Sequence, residues 1–108
     1  MNQELNNLYN VIVNRKLEPS ENSYTCYLFQ QGLNKILKKC GEECSEVIIA
    51  TKDGNRDEIK EEICDLLFHL TVLLVNQGIT LSEIEEILTE RSYKIGNLKT
   101  PYCSDPNS

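Results

Sequence analysis

The sequence has few of the features that define membrane, secreted or nucleic-acid-binding proteins. Its longest apolar stretch, Leu66 to Val75, is interrupted by His69 and Thr71 and has about half the length that a membrane-spanning helix needs. The first residues lack the basic-then-apolar order of a signal peptide. Acidic residues outnumber basic ones by 17 to 11, and the net charge of −6 argues against binding to nucleic acid polymers. These absences predict a cytoplasmic protein with no membrane contact and no nucleic-acid partner.

A disulfide framework is also not expected, because the chain has five cysteines, an odd number. Cys40 and Cys44 share a helix face at four-residue spacing, which leaves a zinc site open. However, no CxxC motif is present, and the single histidine, His69, lies far along the chain. We interpret the cysteines as small apolar core residues in a reducing compartment.

Proline and glycine are scarce, with three and five residues, and Pro19, Gly32, Gly54 and Gly78 lie between apolar segments that repeat with a helical period. Gly54 is predicted to be left-handed, since it follows a long helical pattern. Asn55 with Glu58, and Thr80 with Glu83, have the spacing of helix-capping pairs. The patterns predict helices over residues 3–16, 25–31, 33–51, 55–76 and 80–91.

No segment requires a strand, so the predicted fold class is all-α, a bundle of four to five helices. Residues 1–97 are expected to form one domain, and residues 98–108, which contain two prolines and no periodicity, a flexible tail. A chain of 108 residues buries a smaller share of its surface than a large protein does. We therefore expect homodimerisation to complete the bundle.

The negative charge is concentrated between Gly41 and Asp65, where nine acidic and three basic residues account for the whole net charge. In the helix over residues 33–51, Glu43 and Glu46 border an apolar stripe, whereas Glu42 points away from it. We expect that stripe to be the core face of the helix; its members are Leu33, Leu37, Cys40, Cys44, Val47 and Ile48.

The helix over residues 55–76 has a second acidic pair, Glu62 and Asp65, on a stripe that also contains His69. A short antiparallel turn would bring this pair level with Glu43 and Glu46. Four converging carboxylates repel one another unless a cation lies among them, and all-oxygen ligands favour Mg²⁺ or Mn²⁺. A solvated acidic face is the alternative. His69 is either a hydrogen-bonded buried histidine or a catalytic residue.

Basic residues near these segments also allow two interpretations. Lys35, Lys38 and Lys39 are ordinary helix-surface residues or ligands of phosphate oxygens. Arg15 and Lys16 either bind phosphate as well or complement the negative end of the first helix.

Five stretches are specific enough to compare with known families. They are Ser23-Tyr24-Thr25, Gly32 to Lys39, Gly41-Glu42-Glu43 with Glu46, Asp53 to Arg56, and Glu62-x-x-Asp65 continued through His69 to Leu70. Over about residues 5–91, in unbroken order, the chain resembles the phosphoribosyl-ATP pyrophosphatase family of histidine biosynthesis. That family is a branch of the all-α MazG-like nucleotide pyrophosphohydrolases.

The resemblance implies that a homodimer hydrolyses phosphoribosyl-ATP to phosphoribosyl-AMP and pyrophosphate. It implies that Glu43, Glu46, Glu62 and Asp65 are ligands of Mg²⁺, and that Glu42 or Glu46 accepts a proton from the attacking water.

Further expectations follow from the resemblance. Tyr24 and His69 lie in matching stretches and are additional candidate site residues. A functional link to a phosphoribosyl-AMP cyclohydrolase is left open. Two other functions also stay open: a MazG-like house-cleaning hydrolase of free nucleoside triphosphates, and a non-catalytic helical interaction dimer.

Overall fold

A computed structural model describes residues 2–94, and these residues form five α-helices with no strand among them. The helices are α1 (Asn2–Leu17), α2 (Tyr24–Gln31), α3 (Leu33–Asp53), α4 (Arg56–Asn76) and α5 (Leu81–Lys94). The all-α fold class is therefore confirmed, and each predicted helix is present. The predicted domain limit at residue 97 and the predicted tail lie outside the described residues.

The predicted capping pairs determine where two helices begin. The side-chain oxygen of Asn55 accepts the backbone N–H of Glu58 at 3.2 Å at the start of α4. Before α5, the Glu83 carboxylate accepts the Thr80 N–H at 2.7 Å, and the Thr80 hydroxyl accepts the Glu83 N–H at 3.2 Å. Gly54 ends α3 in the left-handed conformation, with φ of 72°. The turn between α3 and α4 is therefore encoded locally.

Gly54→Ala is expected to lower the free energy of unfolding by about 1 kcal/mol, because a Cβ disfavours the left-handed conformation. No atom lies within 4 Å of the place where that Cβ would be, so the expected cost is one of backbone conformation alone. Gly41→Ala is the matched control. Gly41 lies inside α3 with the same open surroundings, and alanine there should stabilise the helix by about 0.5–1 kcal/mol. Urea denaturation measures both variants, and shifts of the same sign would contradict this account of the turn.

The core lies where α1, α2 and α3 meet α4. Each of these four helices contributes one side chain with at most 1% of its surface exposed: Ile12, Leu28, Ile36 and Val72. Helices α3 and α4 form the most extensive pair, and α1 and α2 both contact α4 as well. No residue of α5 is buried. The bundle thus places the middle of α3 against the first half of α4, close to one end of α2.

The predicted core face of α3 is wrong in part. Leu33, Leu37 and Ile48 keep 40%, 46% and 62% of their surface exposed, whereas Ile36 is fully buried and Ala50 nearly so. The apolar arc of the helix is wider than the strip that α2 and α4 cover. The neighbouring helices contact α3 on the side of Ile36. The other side of the apolar arc, which includes Leu37 and Ile48, is therefore uncovered in a single chain.

The interpretation of the cysteines as core residues holds for two described positions and is wrong for two, and Cys103 lies outside the described residues. Cys26 and Cys40 are buried, but Cys44 and Cys64 are exposed. Cys44 lies on the uncovered part of the α3 arc, with Leu37 and Ile48. Sequence periodicity identified this arc as apolar, yet which of its residues meets a neighbouring helix depends on tertiary packing.

Among the described residues, no single helix has both the length and the apolar content to cross a membrane. Helices α4 and α5 reach those limits only when taken together, with a bend of 113° between them.

Candidate metal and substrate site

Three carboxylates from two helices converge on one side of the bundle. Glu43 of α3 and Glu62 and Asp65 of α4 each offer an oxygen atom, and these atoms all lie within 4.8 Å of one another. Glu43 and Glu62 are half-buried, while Asp65 is exposed. The tight turn after α3 sends α4 back along it, and the i, i+3 spacing in α4 gives Glu62 and Asp65 a common face. We call these three residues the acidic cluster.

The electrostatics of the acidic cluster resist full ionisation. The pKa of Glu62 is raised, first because burial disfavours its charged form, and then because of a hydrogen bond with Glu43 and the negative charges of Glu43, Asp65 and Glu46. Oxygen-only donors on two rigid helices suit a hard divalent cation such as Mg²⁺ or Mn²⁺, which would offset this repulsion. The donor set therefore fits the expected ion.

The two remaining glutamates of the predicted site lie outside the acidic cluster. Glu46 is exposed, one turn along α3 from Glu43, and its charge still contributes to the raised pKa of Glu62. Glu42 is also exposed, and its carboxylate lies 3.8 Å from the Lys39 ammonium. The structure thus brings together three of the four expected metal ligands and places Glu46 beside them.

Two hydrogen bonds connect the acidic cluster to α2 through His69, which is 5% exposed. His69 Nδ1 lies 2.7 Å from the backbone carbonyl oxygen of Asp65, and Nε2 lies 2.9 Å from the Tyr24 hydroxyl. A carbonyl can only accept, so Nδ1 carries the proton, and the neutral ring then accepts the Tyr24 O–H at Nε2. These contacts fit a buried, fully hydrogen-bonded histidine.

Aromatic rings form the wall beside these carboxylates. The Tyr24 ring stacks on Phe68 and on Tyr27, with centroids 6.0 and 6.1 Å away. The pKa of Tyr24 is raised, chiefly by burial; the Lys39 charge opposes this effect, and the Glu43 charge adds to it. Sequence reasoning missed Tyr27. Its i, i+3 spacing from Tyr24 was the available signal.

The predicted phosphate-binding residues separate into two groups. Lys39 lies beside Tyr24 and Glu42, and the Lys35 ammonium is 5.8 Å from the centre of the Tyr27 ring. Lys38 is exposed. Lys35 and Lys39 therefore lie on the same side of α2 as the acidic cluster.

Arg15 and Lys16 lie elsewhere. They line a cavity of about 180 Å³ together with Cys26 and Phe29 of α2. At 100° per residue, Cys26 and Phe29 are on the face of α2 opposite Tyr24. Within one described chain, these two basic residues are therefore on the far side of α2 from the acidic cluster.

Comparison with known proteins identifies the family of the chain. A family model described as phosphoribosyl-ATP pyrophosphohydrolase matches residues 5–92. A phosphoribosyl-ATP pyrophosphatase of Clostridium acetobutylicum is 53% identical over 91% of this chain and 89% of its own length. The corresponding protein of Clostridium novyi is 50% identical over 85% of this chain and 84% of its own length.

A third relative combines activities in one chain. The histidine biosynthesis bifunctional protein HisIE of Caldanaerobacter subterraneus is 56% identical over 83% of this chain, a match that spans 43% of that longer protein. The family model covers all three members of the acidic cluster, as well as Tyr24 and His69. By the extent of these matches, the chain belongs to the phosphoribosyl-ATP pyrophosphohydrolase family.

Proposed function

We propose that this chain hydrolyses phosphoribosyl-ATP to phosphoribosyl-AMP and pyrophosphate in histidine biosynthesis, with Mg²⁺ bound at the acidic cluster. Family membership makes the chain a pyrophosphohydrolase, a hydrolase of phosphoanhydride bonds. The observation that carries the proposal is the convergence of Glu43, Glu62 and Asp65 within 4.8 Å. The raised pKa of Glu62 supports it, since the same charge crowding would favour a divalent cation.

Glu43, Glu62 and Asp65 would hold the ion, with Glu46 as a fourth ligand from the adjacent turn. When bound, Mg²⁺ neutralises charge on the phosphate oxygens and on the pyrophosphate leaving group. Attack by a water oxygen on the α-phosphorus forms one P–O bond and breaks the bond to the bridging oxygen. A carboxylate of Glu42 or Glu46 takes the proton that this water loses, since both are exposed beside the cluster.

Lys35 and Lys39 supply positive charge for the remaining phosphate oxygens. Both extend from the face of α3 that borders Tyr24 and Tyr27, within reach of a nucleotide bound at the acidic cluster. As compact ammonium groups on flexible stems, they follow a phosphate chain without a fixed geometry.

A pyrophosphate-release assay tests this function. The purified chain is incubated with phosphoribosyl-ATP, ATP and the common deoxynucleoside triphosphates, each with Mg²⁺ and with EDTA. We expect Mg²⁺-dependent release from phosphoribosyl-ATP far above release from the other nucleotides. Comparable release from free triphosphates would favour the house-cleaning hydrolase. No release from any of them would favour the non-catalytic helical dimer.

We also propose that the working form is a homodimer. The uncovered residues of α3 (Leu33, Leu37 and Ile48) form one stripe, and Ile63 and Leu70 of α4 are also about 40% exposed on one face. Contiguous apolar surface of this kind is costly in water and typical of an interface between protein chains. The exposed positions support an interface that involves both α3 and α4.

Light scattering at micromolar concentration should report twice the 12.4 kDa chain mass. Leu37→Glu is expected to shift the protein toward the monomer, because it places a charge in the apolar stripe. Leu17→Glu is the matched control, since Leu17 is 72% exposed on α1 and outside both stripes. A monomer mass for the parent protein would contradict the proposal.

The proposed function also includes a cellular location and a link to a second enzymatic step. The described cysteines Cys26, Cys40, Cys44 and Cys64 are unpaired, which supports a reducing, cytoplasmic location. The bifunctional relative supports a functional link between this activity and a second step of histidine biosynthesis, for which phosphoribosyl-AMP cyclohydrolase is our candidate.

A further inference from the structure

Three aromatic rings beside the acidic cluster have no role in the hydrolysis described above. Phe68, Tyr24 and Tyr27 follow one another with centroid spacings of 6.0 and 6.1 Å and with interplanar angles of 27° and 25°. The rings are thus close to parallel and form a continuous run from α4 to the outer face of α2. This run ends at Tyr27.

Contacts with His69 fix the orientation of the middle ring, Tyr24. The Tyr24 hydroxyl donates to His69, and His69 donates in turn to the backbone carbonyl of Asp65, a member of the acidic cluster. His69 also contacts Tyr24 and Phe68 edge to face, with centroids 5.6 and 5.0 Å away. Tyr24 therefore has a defined position relative to the carboxylates, and it gives the Tyr27 ring stacked on it an ordered support.

The two tyrosines are only partly covered. Tyr24 keeps 45% of its surface exposed and Tyr27 keeps 41%, although both rings pack against neighbours. The Lys35 ammonium lies over the Tyr27 ring at 5.8 Å, a cation–π contact at an exposed site. Such a contact is weak at an exposed site, so a ligand that stacks better displaces it readily.

We propose that Tyr27, supported by the Tyr24 ring stacked behind it, forms a stacking platform for the purine base of the nucleotide substrate, an inference that rests on the proposed function. Flat aromatic faces bind nucleobases by stacking, whatever the base. Lys35 lies about 12 Å along the helix axis from Glu43, which leaves room for the sugar and phosphates between platform and cluster. A base on Tyr27 takes the ring face from Lys35 and frees its ammonium to bind phosphate.

The test compares a ligand with a base and a ligand without one. Binding of ATP and of tripolyphosphate is measured by calorimetry in Mg²⁺ for the parent, Tyr27→Phe and Tyr27→Leu. The parent is expected to bind ATP about 5–100-fold more tightly than tripolyphosphate. Tyr27→Phe should retain this preference, because its ring is kept. Tyr27→Leu should lose most of it, while its affinity for tripolyphosphate does not fall, since loss of the ring also frees the Lys35 ammonium.

Tyr93→Leu serves as the control, since Tyr93 is a 79% exposed tyrosine on α5 and outside the platform. It should leave both affinities unchanged. Equal affinity of the parent for the two ligands, or equal weakening of both by Tyr27→Leu, would overturn the platform. The experiment also distinguishes failure of the platform from failure of the proposed substrate. If the parent releases no pyrophosphate from phosphoribosyl-ATP yet shows the ring-dependent preference for ATP, the platform stands and the substrate assignment falls.

Discussion

Glu62→Gln is expected to lower Mg²⁺-dependent pyrophosphate release by about 100-fold or more. Glu62 is one of the three carboxylates of the acidic cluster, and its loss removes both a ligand and part of the charge that attracts the cation. Mg²⁺ should also no longer raise the melting temperature, because stabilisation by a ligand follows its affinity for the folded state. Release kinetics and thermal melts with and without Mg²⁺ measure the two effects.

In EDTA the same variant should be at least as stable as the parent, since one of three mutually repelling carboxylates becomes neutral. Glu61→Gln is the matched control. Glu61 is the preceding, exposed residue of α4 and lies outside the cluster, so its substitution should leave activity and the metal response within error. If Glu62→Gln instead kept full activity, the acidic cluster would be a solvated face, and the proposed site would be wrong.

Glu46→Gln is expected to reduce the Mg²⁺-induced rise in melting temperature strongly and to lower turnover by orders of magnitude. This prediction takes Glu46 as the fourth ligand, one turn along α3 from Glu43. Its exposed carboxylate already acts on the pKa of Glu62. A purely surface glutamate would give a stability change within about 0.5 kcal/mol and no loss of activity.

Glu42→Gln separates the two exposed glutamates. Glu42 pairs with Lys39, which leaves it less free to bind a cation at the cluster. Its substitution should weaken stabilisation by Mg²⁺ much less than Glu46→Gln does, even where it lowers turnover through loss of the proton acceptor. Equal metal responses of the two variants would show that the assignment of Glu46, but not Glu42, as a metal ligand is wrong.

Part of the site was readable from sequence because its spacing is local. Glu62 and Asp65 share a helix face by their i, i+3 separation, and the turn at Gly54 and Asn55 is short enough that Glu43 comes level with them. Tyr27 was not found in this way. Its importance comes from where α2 lies against α3 and α4, and an aromatic at helical spacing is equally common in a plain core.

Tertiary structure also decided which basic residues lie near the acidic cluster. Nothing in their types separates Lys39 from Arg15, since both are basic residues on helix surfaces near matching stretches. In the structure, Lys39 borders Tyr24 and Glu42, whereas Arg15 lines a cavity across α2. Long-range arrangement of the helices, and not residue chemistry, distinguishes them.

The sequence by itself determined the five helices, the Gly54 turn after α3, the capped starts of α4 and α5, and the helix face that Glu62 and Asp65 share. These features depend on hydrogen bonds and steric contacts within about four residues, as at Asn55 with Glu58 and at Gly54. Only the tertiary structure decided that Ile36 is buried while Leu37 is exposed, and that Cys40 is covered while Cys44 is not. The relative rotation of two packed helices determines which part of an apolar arc is covered, and that rotation depends on side chains from both helices at once.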